Sequence, residues 1–178
     1  MKKIKNNGFT LIELIVALGV FMVVMTITLS AFLNIMDIQK KTEAFRKVND
    51  NLNFAMEAMM REIREGTGYS CLGNCPGSSF VFTNKDKSSQ VTYELNSVNP
   101  EDKYIERKIG IDSQRMTSDG INITNLSFSV RGKATYASGD KNQPLVTISI
   151  GGESGTKEKL KSRLNLQTTI SQRKLDSQ

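Results

Sequence analysis

The chain has no histidine, no tryptophan, two cysteines and three prolines among 178 residues. Each scarcity removes a class of function. Without histidine, Ser-His and Cys-His nucleophile systems are absent. The two thiols also lack an imidazole that would complete a zinc site. No P-loop and no Gly-x-Gly-x-x-Gly string occurs. Aromatic residues make up only 7%, so a base-stacking surface is not expected. Asp112, Asp119 and Asp140 stand among turn formers and read as solvated loop carboxylates. Neither an enzyme nor a cofactor is expected.

One long stretch lacks charge altogether. From Leu14 to Met36, 23 residues include no Asp, Glu, Lys or Arg. At about 1.5 Å per residue such a helix crosses a hydrocarbon core of about 30 Å. Thr26, Thr28, Ser30 and Asn34 are its polar residues. Hydroxyls bond back to the helix backbone and are tolerated in lipid. A secretory signal peptide has a shorter apolar core closed by a small-residue cleavage site, and neither is present. A plain single-span anchor fits the length, but gives no reason for the residues that precede it.

Those residues are Met1-Lys2-Lys3-Ile4-Lys5-Asn6-Asn7-Gly8, then Phe9-Thr10-Leu11-Ile12-Glu13-Leu14. A basic leader ends at glycine, and one carboxylate follows inside an apolar run. The string GFTLIEL resembles the N-terminal signature of type IV pilins and pseudopilins. The resemblance implies a prepilin peptidase that cuts between Gly8 and Phe9 on the cytoplasmic side and N-methylates Phe9. It also implies a partner for Glu13: the positive amine of Phe9 on a neighbouring subunit. A carboxylate near a membrane helix end costs on the order of 1–3 kcal/mol, so such a pair would act as a register check. The plain alternative is a Glu13 hydrated at headgroup level.

Lys2, Lys3 and Lys5 before the span are matched by Lys40, Lys41, Arg46 and Lys47 after it, so the positive-inside rule is indecisive. A cytoplasmic N-terminus therefore rests on the resemblance. The formal net charge of +6 falls to +3 without the leader lysines, too mild to argue for nucleic acid. The resemblance keeps DNA contact open, since some pilins of uptake systems bind DNA.

Between Phe9 and Glu65 there is no proline, and Gly19 is the only glycine. Phe45, Val48, Leu52, Met56, Met59 and Ile63 recur at spacings of three or four and form one apolar stripe. Lys47, Asp50, Glu57, Arg61, Glu62 and Arg64 read as the charged face, and Gly66 as the helix stop. The prediction is one helix over Phe9–Glu65, about 85 Å long if unbroken. A membrane anchor followed by a coiled-coil stalk is the competing reading, but the stripe spans only about three heptads. The segment Asn53–Arg64 resembles the helix end of J-type minor pseudopilins of type II secretion and of W-type minor pilins of type IV pili. Many major pilins carry a proline partway along the apolar helix; its absence here fits a minor pseudopilin better.

From Gly66 onward, short β-branched and aromatic runs alternate with turn signals. Strands are predicted at Phe80–Thr83, Gln90–Leu95, Tyr104–Ile109, Ile121–Val130, Leu145–Ile150 and Arg163–Ser171. Breakers are read at Asn99-Pro100, Asp119-Gly120, Ser138-Gly139-Asp140 and Gly151-Gly152. Leu126, Phe128 and Val130 alternate with serines, which indicates a sheet with one buried face. The expected fold is α+β: a long N-terminal helix, half apolar and half amphipathic, packed on an antiparallel β head. The expected divisions are leader 1–8, apolar helix 9–36, amphipathic helix 37–65 and β-rich head 66–178. The run Leu164–Arg173 is similar to the last strand of J-type pseudopilins.

Cys71 and Cys75 lie just after the helix in Cys-Leu-Gly-Asn-Cys-Pro. Outside the cytoplasm a local disulfide is expected, with free thiols as the alternative and no metal site. Asp140-Lys141-Asn142 offers two oxygens to calcium, but such residues are common in turns.

Taken together, the residues and the resemblance predict a minor pseudopilin of a type II secretion pseudopilus, a structural protein processed by prepilin peptidase and inserted into a helical fibre at its tip. A minor type IV pilin serving adhesion, DNA uptake or motility is the alternative. The implied partners are prepilin peptidase, other pilin or pseudopilin subunits, an inner-membrane assembly platform and secreted cargo. The implied location is the inner membrane, single-pass, with the head outside the cytoplasm.

Overall fold

The computed structural model describes residues 8–86, 88–132, 142–155 and 157–173. Lys2, Lys3, Lys5, Ser138, Gly139, Asp140 and Lys141, named above, lie outside that set. The chain divides into two compact units, 1–40 and 41–178. One helix, α1 (Leu11–Glu65), contributes residues to both.

In the first unit the helix is apolar all round, and every residue from Leu11 to Met36 is exposed. Among the described residues nothing covers this surface, as expected of a segment whose solvent is lipid or other helices. Its hydroxyls bond backward: Thr26 Oγ1 donates to Met22 O at 2.8 Å, Thr28 Oγ1 to Val24 O at 2.8 Å and Ser30 Oγ to Thr26 O at 3.0 Å. No hydroxyl among these three is left facing lipid unpaired, which is how an apolar medium admits them.

In the second unit, α1 packs on two antiparallel sheets, with eight strands among the described residues. The first sheet has the order β1 (Thr67–Cys71), β2 (Ser79–Thr83), β3 (Gln90–Asn96), β4 (Tyr104–Ile109) and β5 (Asp112–Arg115). The second has the order β6 (Asn122–Arg131), β7 (Leu145–Ser154) and β8 (Ser162–Ser171). The fold is thus α+β with antiparallel sheets against one helix, as the patterning predicts. The helix buries Val48, Leu52, Ala55, Met56, Met59 and Ile63. Phe80 stacks on Phe128 with ring centroids 5.1 Å apart, joining the two sheets through the core. Tyr69, Phe82 and Tyr93 extend the same cluster.

Four readings need correction. Phe45 is exposed, because Val48 is the first residue of α1 that is buried, and Ala55 joins the buried stripe instead. Glu62 is half-buried and not on the solvent face: Arg107 donates to it through Nε at 3.0 Å and Nη2 at 2.8 Å, and Tyr93 donates its hydroxyl. Two strands, β1 and β5, were not expected. β1 offers only Tyr69 and Cys71 as alternating buried residues after Gly68, and β5 is Asp-Ser-Gln-Arg with no apolar residue.

Gly151-Gly152 is not a break, since β7 runs through it to Ser154. A Cβ on Gly151 would stand 2.3 Å from Asn165 Oδ1, while one on Gly152 would stand 3.2 Å from Leu52 Cδ2, so Gly152 lets the strand lie close against α1. Gly152→Val is expected to overpack this contact and cost about 1–3 kcal/mol, read as a lower midpoint in denaturant.

Gly66 stands just past the last helical residue, Glu65, where the sequence places the helix stop. A Cβ there would stand 2.3 Å from Phe82 Cδ2, so glycine is required by close approach to the sheet. The last helical carbonyls are satisfied from afar. Arg173 N–H donates to Arg64 O at 2.9 Å, Gln172 Nε2 donates to Gly66 O at 3.3 Å, and the Tyr69 hydroxyl lies 2.6 Å from Ile63 O.

Candidate functional site

The candidate site is the start of the chain's helix. Gly8, Phe9 and Thr10 precede the first helical residue, Leu11. Thr10 is the cap: its Oγ1 accepts from Glu13 N–H at 3.3 Å, and its carbonyl accepts from Leu14 N–H at 3.2 Å. These bonds satisfy donors that every helix start leaves open. Thr10-Leu11-Ile12-Glu13 is therefore a Thr-x-x-Glu capping sequence, a role the sequence reading missed although the spacing announces it. Glu13, in the first turn, also places its negative charge at the positive end of the helix dipole.

The helix begins two residues after Phe9, so Gly8-Phe9 lies outside it, beside a well-defined cap. Phe9 is 85% exposed, and a Cβ built on Gly8 meets nothing within 4 Å. Glu13 sits one turn further along an entirely exposed apolar surface. That arrangement brings Gly8, Phe9 and the Glu13 carboxylate into one short segment.

In the head, Cys71 and Cys75 form a disulfide with their Cα atoms 5.6 Å apart. Cys71 is buried at the end of β1, beside the Phe128 carbonyl of β6. Two residues past Cys75, Gly77 exchanges backbone bonds with Phe128 at 3.0 and 2.8 Å. The disulfide thus closes the loop through which the first sheet grips the second. Opening it by Cys75→Ser is expected to cost about 2 kcal/mol by the loop-entropy relation, measured as a lower denaturant midpoint. The same shift should appear in wild-type protein on reduction.

Charges in the head are mutually engaged. Burial pushes the Tyr93 hydroxyl up, reinforced by its bond to Glu62, while Glu62 holds the Arg107 guanidinium above its usual range. Ser113 and Asn96 hold the Glu106 carboxyl below the ordinary carboxylate range. Arg163 and Asn122 do the same for Glu153. Each is a carboxylate tied to hydrogen-bond donors, the pattern of structural networks. Among the described residues, no group of three or more His, Cys, Asp or Glu is placed to hold a metal.

The described fold is one long helix, apolar in its first half, with an α+β head of antiparallel sheets. The model for the prokaryotic N-terminal methylation motif matches residues 3–29. The match supports a type IV pilin-like family, of the pilin or pseudopilin type. The motif implies processing by prepilin peptidase and assembly with other pilin subunits, and with the apolar helix it is consistent with single-pass inner-membrane anchoring. No curated protein and no solved structure matches the chain.

Proposed function

We propose that the protein is a minor pseudopilin of a type II secretion pseudopilus, a structural subunit without catalytic activity that joins the fibre at its tip. The observation that carries this reading is the methylation motif fused to an uninterrupted, proline-free helix. The precursor waits in the inner membrane with its head outside the cytoplasm. Cleavage after Gly8 frees the amine of Phe9, which is N-methylated. Glu13 meets such an amine on the neighbouring subunit, and the exposed apolar surface of α1 is buried among other helices as the assembly platform extrudes the fibre. The disulfide supports a head in an oxidising compartment. The head then contacts neighbouring minor subunits and secreted cargo.

The resemblance of Asn53–Arg64 to minor pilins supports the second reading, a minor subunit of a type IV pilus. Mass spectrometry of the N-terminus, on protein from its native membrane, tests the shared part. A chain beginning at N-methyl-Phe9 is expected; a chain retaining Met1 overturns it. Deletion of the gene then separates the systems. Loss of secreted protein with surface fibres intact supports the pseudopilus, and loss of surface fibres with normal secretion overturns it in favour of the pilus.

A further inference from the structure

Four strands lie at the sheet margins, and three of them are blunted. β1 is five residues long and irregular between Thr67 and Ser70. β5 is four residues long and polar. β6 is bulged between Ile123 and Asn125, and Gly77 caps it at Phe128. Such devices keep unpaired backbone groups from recruiting other chains.

β8 carries none of them. It runs for ten residues, about 33 Å, in unbroken register with β7. It contains no proline. Its single charge, Arg163, stands near the start and is engaged by Glu153 at 2.8 Å and Glu158 at 2.6 Å. Among the described residues, no backbone group bonds to its outer edge. Alternate N–H and C=O groups therefore face outward along the whole strand.

Beside that edge runs an apolar floor. Leu164 and Leu166 turn toward the core but remain half-buried, as does Met60 on α1, which accepts from Thr168 Oγ1 at 3.6 Å. Past the end of the strand the floor gives way to a cleft of about 310 Å³, where Met60 stands among the charged Glu57, Arg61, Arg64, Glu65 and Arg173. An open strand edge flanked by a helix is the arrangement in which extended peptides add to a sheet.

We infer that β8 is a strand-accepting edge, which takes an extended segment of a neighbouring fibre subunit with apolar residues at every second position. The inference rests on the fibre reading above for the identity of the donor, not for the chemistry of the edge. Backbone groups along β8 select a β-strand. The Leu164–Leu166–Met60 floor selects apolar side chains at period two, and the uncharged edge disfavours a charged segment. A second copy fits poorly, because the apolar residues of its own β8 are already turned onto its own α1.

Hydrogen–deuterium exchange on the full chain in detergent micelles tests this. The probe is a capped peptide of alternating valine and threonine, matched to β8 in length, with a lysine at each end. At millimolar peptide, the outward amides of β8 are expected to exchange about ten-fold more slowly, with β6 unchanged. The same peptide N-methylated along one edge should lose the effect. Unaltered β8 exchange overturns the inference, as does equal protection by the N-methylated peptide. Protection that rises with protein concentration alone makes a second copy the occupant and overturns the donor assignment. The N-terminal mass of the same sample reports processing separately. An uncut chain with a protected β8 removes the fibre reading and leaves the edge standing.

Discussion

Gly8→Val is expected to leave the protein entirely as uncut precursor in the membrane, with fibre incorporation below detection. The argument depends on what the substitution does not do. A Cβ at Gly8 meets no atom of the chain within 4 Å, and Gly8 holds no left-handed conformation. Thr10 still caps α1, and no buried contact changes. Valine at this position therefore has no cost in the protein's own fold, and any loss of cleavage reports recognition by the peptidase. Intact mass of membrane-extracted protein checks it: the variant should retain Met1 while the wild type begins at N-methyl-Phe9. Normal processing of Gly8→Val would refute the assignment of the cleavage point. The melting midpoint of the variant's head should equal that of the wild type, which separates recognition from misfolding.

Much of this was legible in the sequence because the relevant signals are local. The charge-free run, the stripe Val48–Ile63 and the alternation through Leu126, Phe128 and Val130 are periodic, and periodicity survives without knowledge of the fold. The leader motif is local as well. What escaped was set by distant partners. Glu62 looks like any solvated carboxylate until β3 and β4 bring Tyr93 and Arg107 to it, 31 and 45 residues later. The helix end is closed by Gln172, 106 residues beyond Gly66. Gly151-Gly152 carries a turn signature, yet Gly152 admits Leu52 and Gly151 leaves room for Asn165 and Thr124. β5 has no apolar residue and exists because β4 offers it a ladder. The open edge of β8 is a property of strand order, which no local pattern encodes.

Glu13 carries two separable roles, and a pair of variants distinguishes them. Its backbone N–H takes part in the Thr10 cap whatever its side chain, so neither Glu13→Gln nor Glu13→Ala should unravel the helix start. Glutamine keeps the side chain's length and its hydrogen-bonding oxygen but removes the charge. Alanine removes both. If the carboxylate serves only the helix dipole, the loss is about 0.3–1 kcal/mol at an exposed end, and the two variants assemble nearly as well as wild type. If it meets the Phe9 amine of a neighbour, each docked subunit loses an ion pair in an apolar setting and leaves an uncompensated cation. At about 1–3 kcal/mol per contact, incorporation should fall by roughly ten- to a hundred-fold in both variants, with glutamine no better than alanine. Cleavage and N-methylation should be unaffected in either. Quantifying mature protein in sheared fibres against mature protein in the membrane reads the effect directly. Wild-type incorporation of Glu13→Gln would sink the charge role and leave Glu13 as a capping residue alone.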